Sequence, residues 1–433
     1  MKRFLSIVLS CLALTGYTQH INLLLGKNYS ADINKVLYTE YKDIHTSFKP
    51  ILRSDLSFGI DSILENYYPT SYNNWYLQKL FSEHLIYLEG DAYKVILSPL
   101  IHLAKGKDLI GSRDLFTNTR GYFIEGTLGR QISFFTSFTE NQAIFPDYLD
   151  EYISENRVVP GQGLARDFKQ TGFDYAMSSG YVTYKPNNMF AVQFGHGKNF
   201  IGDGYRSLLL SDNTFNYPYL KIQTTFWKVK YINLYAELMD INYFKTNSLP
   251  NTDQLGYPKK YFSSHYLSFN VNKKFNLSFF ESIIWRVNHA PGSRGFDVNY
   301  LNPIVMLRPI EYSLNSPDNV LLGLSTKYIF NSSYIYGQLV VDEFSINDLR
   351  LNNGFWANKI GYQLGYKIFD PWNIDRLALQ VEYNYVRPYT YAHHNPQQNY
   401  AHYNQPLAHP LGANFSEFLF ITNYKWKRFE NVW

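Results

Sequence analysis

Between Phe194 and Lys221 the chain reads FGHGKNFIGDGYRSLLLSDNTFNYPYLK, setting His196, Lys198, Asp203 and Arg206 among closely spaced glycines. Gly195-His196-Gly197-Lys198, followed by Gly202 and Gly204, has the composition of a phosphate cradle. The P-loop spacing is absent, however, and no amphipathic helix opens behind it. Two readings remain. In one, the glycines permit a tight bend where a strand turns back into a lumen, with Asp203 and Arg206 paired on the inner wall. In the other, His196, Lys198, Asp203 and Arg206 contact a sugar or an ion.

Other candidate chemistry is thinner. His393, His394, His402 and His409 share one long stretch, but their spacing gives no helical i, i+4 pair and only Glu417 follows as a carboxylate, so solvated loop histidines are expected rather than a metal site. Ser293 to Asp297 (SRGFD) lacks the order of a nucleophile elbow. Asp342 and Glu343 are chain neighbours, which on a strand puts them on opposite faces and prevents joint acid–base work. A barrel acyl hydrolase needs a Ser/His/Asn or Ser/His/Asp set, and none can be assembled from the sequence. The expectation is a protein with no catalytic residue and no cofactor, not an enzyme.

The elements around the glycine-rich stretch read as strands. Tyr122, Ile124, Gly126 and Leu128 alternate with Glu125 and Thr127, and Gly129-Arg130 turns the chain into Ile132, Phe134, Thr136 and Phe138, a hairpin. Ile232, Leu234, Ala236 and Leu238 alternate with Asn233, Tyr235 and Glu237, which predicts an aliphatic row facing lipid and a polar row facing water. The pattern returns in Ile360, Tyr362, Leu364, Tyr366 and Ile368 against Gln363 and Lys367, and in Leu377, Leu379, Val381, Tyr383 and Tyr385 against Gln380, Glu382 and Asn384. Alternation alone also fits a soluble sandwich. Tyr-rich strand ends, strands of about nine to twelve residues and the N-terminal signal tip the balance to a membrane barrel, and the 433 residues are 18% aromatic, with 39 Tyr and 32 Phe, as its girdles require.

No Pro/Gly/Ser-rich linker divides the chain, and a net charge of +4 gives no reason to expect a nucleic-acid partner. Residues 1–18 read as a Sec-type signal peptide: Lys2 and Arg3 precede an apolar run, with small residues before Gln19. Cys11, the only cysteine, raises the alternative of a lipidated N-terminus; cleavage after Thr18 would instead leave no thiol chemistry. Residues 19–89 read as short helices and loops at a barrel mouth or in the periplasm, with Ile33, Leu37 and Tyr41, then Tyr76, Leu80, His84 and Tyr87, at helical spacing. Residues 90–433 read as an all-β transmembrane antiparallel barrel. Counting segments gives roughly 14 to 16 strands. Long connections at 147–172, 244–260, 289–299 and 390–410 alternate with short turns such as 185–188 and 272–274, the asymmetry of an outer-membrane barrel. Lys425 to Trp433 loses the alternation before its terminal aromatic.

At Asn199–Tyr219 (NFIGDGYRSLLLSDNTFNYPY), Thr136–Tyr148 (TSFTENQAIFPDY) and Gln405–Ser416 (QPLAHPLGANFS) the chain resembles the Wzi-like capsule-assembly outer-membrane proteins, on their Bacteroidetes side the gliding motility protein RemB. The likeness runs from about Trp75 to the C-terminus, and GDGYRSLLLS is its most specific run. It implies a barrel of about 18 strands in the cell outer membrane, seated in outer-membrane lipid. It also implies attachment of surface polysaccharide on the capsule side, or a part in movement over surfaces with motility or export machinery as partner. Against that pattern this chain is expected to lack the last few strands, a truncation at the C-terminal end. No ligand residue of the family transfers to it. Two other classes stay open: a passive porin, and a barrel that docks a motility or export complex through residues 19–89.

Overall fold

The computed structural model describes residues 21–26, 30–39, 44–56, 73–169, 171–241, 257–287, 295–303, 314, 318–342, 359–426 and 429–432. The expected signal peptide, Cys11, Glu343 and Trp433 lie outside them. Among the described residues the wall consists of 16 antiparallel strands: β1 (Ile86–Gly90), β2 (Tyr93–Lys107), β3 (Asp114–Leu128), β4 (Ile132–Ile144), β5 (Gly172–Tyr184), β6 (Phe190–Gly197), β7 (Tyr217–Phe226), β8 (Val229–Met239), β9 (Lys259–Asn270), β10 (Phe275–Arg286), β11 (Asn319–Ile329), β12 (Ser333–Val341), β13 (Ile360–Phe369), β14 (Leu377–Val386), β15 (Phe415–Trp426) and β16 (Phe429–Val432). Each pairs with the next along the chain, and the sheet closes into a barrel where the first strands meet the last. Closure pairs neighbouring strands around the whole wall, the condition for crossing lipid without helices. No described helix is long and apolar enough to cross a membrane.

The connections alternate as the sequence suggests. At one end β1–β2, β3–β4, β5–β6, β7–β8, β9–β10, β11–β12 and β13–β14 are joined by short turns; at the other, residues 145–171, 198–216, 240–258, 287–318, 342–359 and 387–414 form long connections. The hairpin expected across Gly129-Arg130 is β3–β4, with Leu128 opposite Ile132. On β13 and β15 the outward residues Tyr362, Leu364, Phe418 and Phe420 are exposed, Leu364 by 61% and Phe418 by 67%. Their neighbours Gln363, Glu382 and Asn384 are buried towards the lumen. Bare aromatic and aliphatic rows outside, polar rows inside, are what a lipid-facing wall requires.

One strand reverses the expectation. Ile232, Leu234, Ala236 and Leu238 of β8 face the lumen, where they pack with Leu208, Leu209 and Leu210. Asn233, Tyr235 and Glu237 take the outer face. The register confirms the side: Leu234 stands opposite Lys221 of β7, whose Nζ reaches the luminal Asn199 Oδ1 at 3.3 Å. Alternation fixes only that two sets lie on opposite faces. Which set faces lipid depends on what fills the barrel, and here the filling is apolar.

Two bodies supply that filling. From the short-turn end comes the N-terminal segment, with helix α1 (Ser30–Thr39) packed against Ile329, Tyr334 and Phe369 and residues 44–56 running up the lumen. From the other end come the connections 198–216 and 387–414. The two bodies meet where Phe48 and Lys49 pair antiparallel with Ile201 and Phe200.

Candidate functional site

The glycine-rich stretch is the central strand of this plug, so the bend into the lumen is realised. Gly202 has φ +143°, a conformation closed to L side chains. At Gly204 a Cβ would stand 2.5 Å from Glu382 Oε2 and 2.6 Å from the Tyr336 ring. After this close approach Ser207 folds the chain back: its Oγ accepts from Leu209 N and Leu210 N and donates to Ile201 O. Leu208, Leu209 and Leu210 are thereby driven into the wall with no exposure.

Asp203 and Arg206 do not pair. Asp203 Oδ1 accepts from Tyr38 Oη at 2.5 Å and Thr46 Oγ1 at 2.9 Å, and its Oδ2 from Ser47 Oγ at 2.5 Å. Lys327 of β11 lies 3.5 Å away. Burial raises the Asp203 pKa, yet Lys327, Lys49 and the hydroxyls of Ser47 and Tyr38 outweigh it and hold the carboxyl down at about 2. Arg206 instead sends Nη2 to Glu417 Oε1 at 3.1 Å and Nε to Glu417 Oε2 at 3.4 Å on β15. The two residues sit one turn apart on a folded loop and point at different walls, so chain proximity gave the wrong partner.

The wall answers the loop's main chain. Glu382 accepts from Tyr205 N at 2.7 Å, Arg206 N at 3.1 Å and Tyr336 Oη at 2.7 Å. Gln338 receives Leu208 N at 2.8 Å and donates to Ile201 O at 2.9 Å. A loop in a lumen has backbone groups that no ladder satisfies, and these two side chains partner four of them, Tyr205 N, Arg206 N, Leu208 N and Ile201 O. Asp55, at the other end, lies 2.7 Å from both Lys185 and Lys230, which together hold its carboxyl at about 2 against the raising effect of burial.

His402 and His409 are buried, contrary to the solvated expectation. His402 Nδ1 accepts from Met239 N at 3.0 Å, and burial pushes its pKa down to about 3. His409 Nε2 lies 2.8 Å from Glu417 Oε2, the carboxylate that also holds Arg206. His393 and His394 stay on the loop surface side, ring centroids 4.1 Å apart. Among the described residues no group of three or more potential ligands could hold a metal.

The filling is one-sided. It presses on β7–β15 and leaves a cavity of about 600 Å³ against β3–β6, lined on the plug side by Asn22, Arg53 and Lys198. His196 also lines it, with Nδ1 3.1 Å from Ser178 O. Lys198 reaches Gly161 O at 2.5 Å and Asp212 O at 3.1 Å; burial lowers its pKa to about 8 while Asp212 opposes the shift. Two of the four residues singled out in the sequence therefore reach the cavity, and Asp203 and Arg206 do not.

What sequence reading missed is on the opposite wall. Phe123, Phe135 and Tyr181 project inward from β3, β4 and β5 as a row of near-parallel rings. Phe123 and Phe135 have centroids 6.4 Å apart at 25°, Phe135 and Tyr181 5.6 Å apart at 22°. Glu125 stands opposite Phe135 in the register, at the edge of the row. The signal was available: these are aromatics in the polar parity of strands whose outer parity is already apolar.

No protein-family model matches the chain, and no curated protein matches it. Solved structures do. Escherichia coli Wzi, an outer-membrane protein involved in group 1 capsule assembly and described as a carbohydrate-binding β-barrel, matches with a TM-score of 0.52 and 12% identity, over 94% of this chain and 82% of that one. Pseudomonas aeruginosa OccD3 matches with a TM-score of 0.36 and 9% identity, covering 80% of this chain and 84% of the other, and Salmonella typhi OmpF with 0.32 and 10%, covering 78% and 99%. The first likeness, together with the closed wall and its bare apolar exterior, identifies the fold as that of an outer-membrane β-barrel.

Proposed function

We propose that this barrel holds surface polysaccharide at the outer membrane, with a sugar segment seated in the luminal cavity. One observation carries the reading: the row formed by Phe123, Phe135 and Tyr181 faces the cavity beside Glu125 and Arg53. Flat ring faces receive the C–H faces of sugars, while carboxylate and guanidinium groups take hydroxyls. Such binding needs no reaction and no cofactor. Single contacts are weak and gain strength from repeats along a polymer. Escherichia coli Wzi, of similar fold, is described as carbohydrate-binding, which supports the same direction.

The plug also supports holding over passive transport, since Glu382, Gln338 and Asp203 fasten it to the wall. The test is retention of cell-surface polysaccharide by purified full-length protein on a glycan array, repeated with Phe135→Ala. Retention that falls about tenfold in the variant is expected for loss of one stacking ring at each of several repeats. Absence of retention by the unaltered protein, or no change in the variant, would remove this reading.

A further inference from the structure

The wall closes through its two shortest strands. β1 (Ile86–Gly90) reaches no farther up β2 than Leu97, and β16 (Phe429–Val432) reaches no farther up β15 than Asn423. Their neighbours continue, β2 to Lys107 and β15 to Phe415. Among the described residues, the registered partners of Ser98–Lys107 all belong to β3, and those of Phe415–Thr422 all belong to β14. Closure is thus confined to the short-turn end, and above it the wall has a notch between β2 and β15. Exposure agrees: every residue from Ile101 to Lys107 is exposed, those of the inward parity together with those of the outward one.

The notch opens at hydrocarbon depth. Phe123 of the ring row stands opposite Ser98, so Ser98 and Leu100 face the lumen while Ile101 and Leu103 face lipid, exposed by 72% and 71%. Phe418 and Phe420 are bare in the same way on the β15 rim. Backbone at this depth that no neighbouring strand pairs is tolerated where it lines a water-filled cavity. Leu100 does line the ring-row cavity, so the notch leads into it. Leu23, Leu24 and Leu25 of the plug stand behind the opening. They border the ring-row cavity on one side and, on the other, a second cavity walled by Ile33, Leu37, Ile421 and Val432. Leu24 is 58% exposed although it lies inside the barrel.

We propose that the notch is a lateral entrance for acyl chains of the outer leaflet, and that the glycan held in the lumen is a lipid-anchored one, with its sugars on the ring row and its acyl chain between Leu23–Leu25 and Ile421. The inference rests on the luminal cavity being a polysaccharide seat, and it narrows the ligand class of that seat. An amphiphile keeps its tail in lipid while its head enters the lumen. A wall closed to its full height forbids that passage, whereas a notch with apolar rims permits it. The two cavities divide such a ligand by polarity: the rings beside Glu125 and Arg53 take the sugar, and the leucines take methylenes. An exposed leucine inside a lumen gains a partner when a chain arrives from the side. The mouth carries more apolar surface still. The short helix α2 (Trp75–Phe81) leads into β1, where His84 Nδ1 meets Ser98 Oγ at 2.9 Å, and its Trp75, Tyr76 and Leu80 are exposed in continuity with the lipid-facing wall.

The test uses the full-length barrel in phosphatidylethanolamine and phosphatidylglycerol vesicles that contain a phosphatidylcholine with a diazirine in its acyl chain. After irradiation, adducts are mapped by mass spectrometry. They are expected on residues 21–26 as well as on the lipid-facing Phe418 and Leu364. Leu24→Asp should cut those on 21–26 about tenfold, because a carboxylate in the path of a methylene chain opposes its entry, and should leave Leu364 labelled as before. Where that variant loses heat-modifiable gel mobility, Leu24→Ser replaces it. A second arm compares lipopolysaccharide of the host strain with the same material after deacylation. The unaltered barrel in micelles should retain the acylated form about tenfold better, and Leu24→Asp should remove that preference, which insertion into the micelle alone would not lose. Adducts confined to outward residues, a preference that Leu24→Asp leaves unchanged, or retention of neither form overturns the proposal. Polysaccharide retained on the glycan array despite any of these failures leaves the polysaccharide reading in place.

Discussion

Asp203 accepts from three hydroxyls supplied by residues 156 to 165 positions earlier in the chain, and faces a lysine 124 positions later. Removing one member of such a buried constellation leaves the other charge uncompensated. Asp203→Ala is expected to lower unfolding stability by about 3–5 kcal/mol, read from the guanidinium midpoint of tryptophan fluorescence in micelles. Arg206→Glu should act differently. It places a second carboxylate against Glu417 beside His409, and limited proteolysis should then cut the 387–414 connection while the wall stays intact. His402 sets a pH dependence. Its folded pKa lies near 3 against an ordinary 6.5, so the unfolded state binds the proton more readily. The stabilisation is complete above pH 6.5 and is lost as pH falls from there towards 3; hydrogen exchange of residues 391–407 should quicken over that window, and His402→Gln should flatten the response. None of these partners was legible in the sequence, because each is set by a contact across the barrel. The sequence placed Asp203 and Arg206 in a lumen-entering bend, which is where they are, and paired them through mere adjacency.

At the scale of elements, the wall was legible where lipid faces one side and polar filling the other. Gln363 and Glu382 point inward on β13 and β14 as their alternation indicates. On β8 the same logic fails, because the leucines of the plug make the lumen side as apolar as lipid. The long connections were also legible as long, but not as plug. Nothing in the composition of 198–216 distinguishes a loop in solvent from a loop whose main chain is held by wall side chains such as Gln338 and Glu382. The ring row of Phe123, Phe135 and Tyr181 could have been found by asking which aromatics occupy the inward parity. Removal of residues 21–56 takes away the short-turn half of the filling, together with the Asp55 contacts to Lys185 and Lys230. In planar bilayers the shortened barrel should show steps of ion conductance several-fold above those of the intact chain. Equal conductance in both would mean that the segment leaves the current path untouched.

Across the whole molecule, closure and the apolar exterior make one further comparison available. Leu364 and Gln363 are adjacent on β13, one on each face. Leu364→Arg puts a cation on the lipid side and should cost about 2–4 kcal/mol if it sits near the midplane, whereas Gln363→Leu should matter through lost luminal hydrogen bonds alone. Refolding yield into lipid vesicles, followed by heat-modifiable mobility, separates the two: the arginine variant should fail in vesicles yet fold in detergent.

The meeting of the two plug bodies has a consequence for how the molecule is made. Thr46 precedes every wall strand, yet it is held by Lys327, 281 positions later, and Phe48 and Lys49 are zipped to Ile201 and Phe200. A closed cylinder offers no side entrance to a folded strand pair. The leading segment is therefore expected to be in place while the sheet is still an open trough, with the last strands sealing over it. Assembly order is written into the contact pattern: late addition of a detached peptide 21–56 to a preformed barrel should not restore the Asp203 clasp, whereas co-folding the two should.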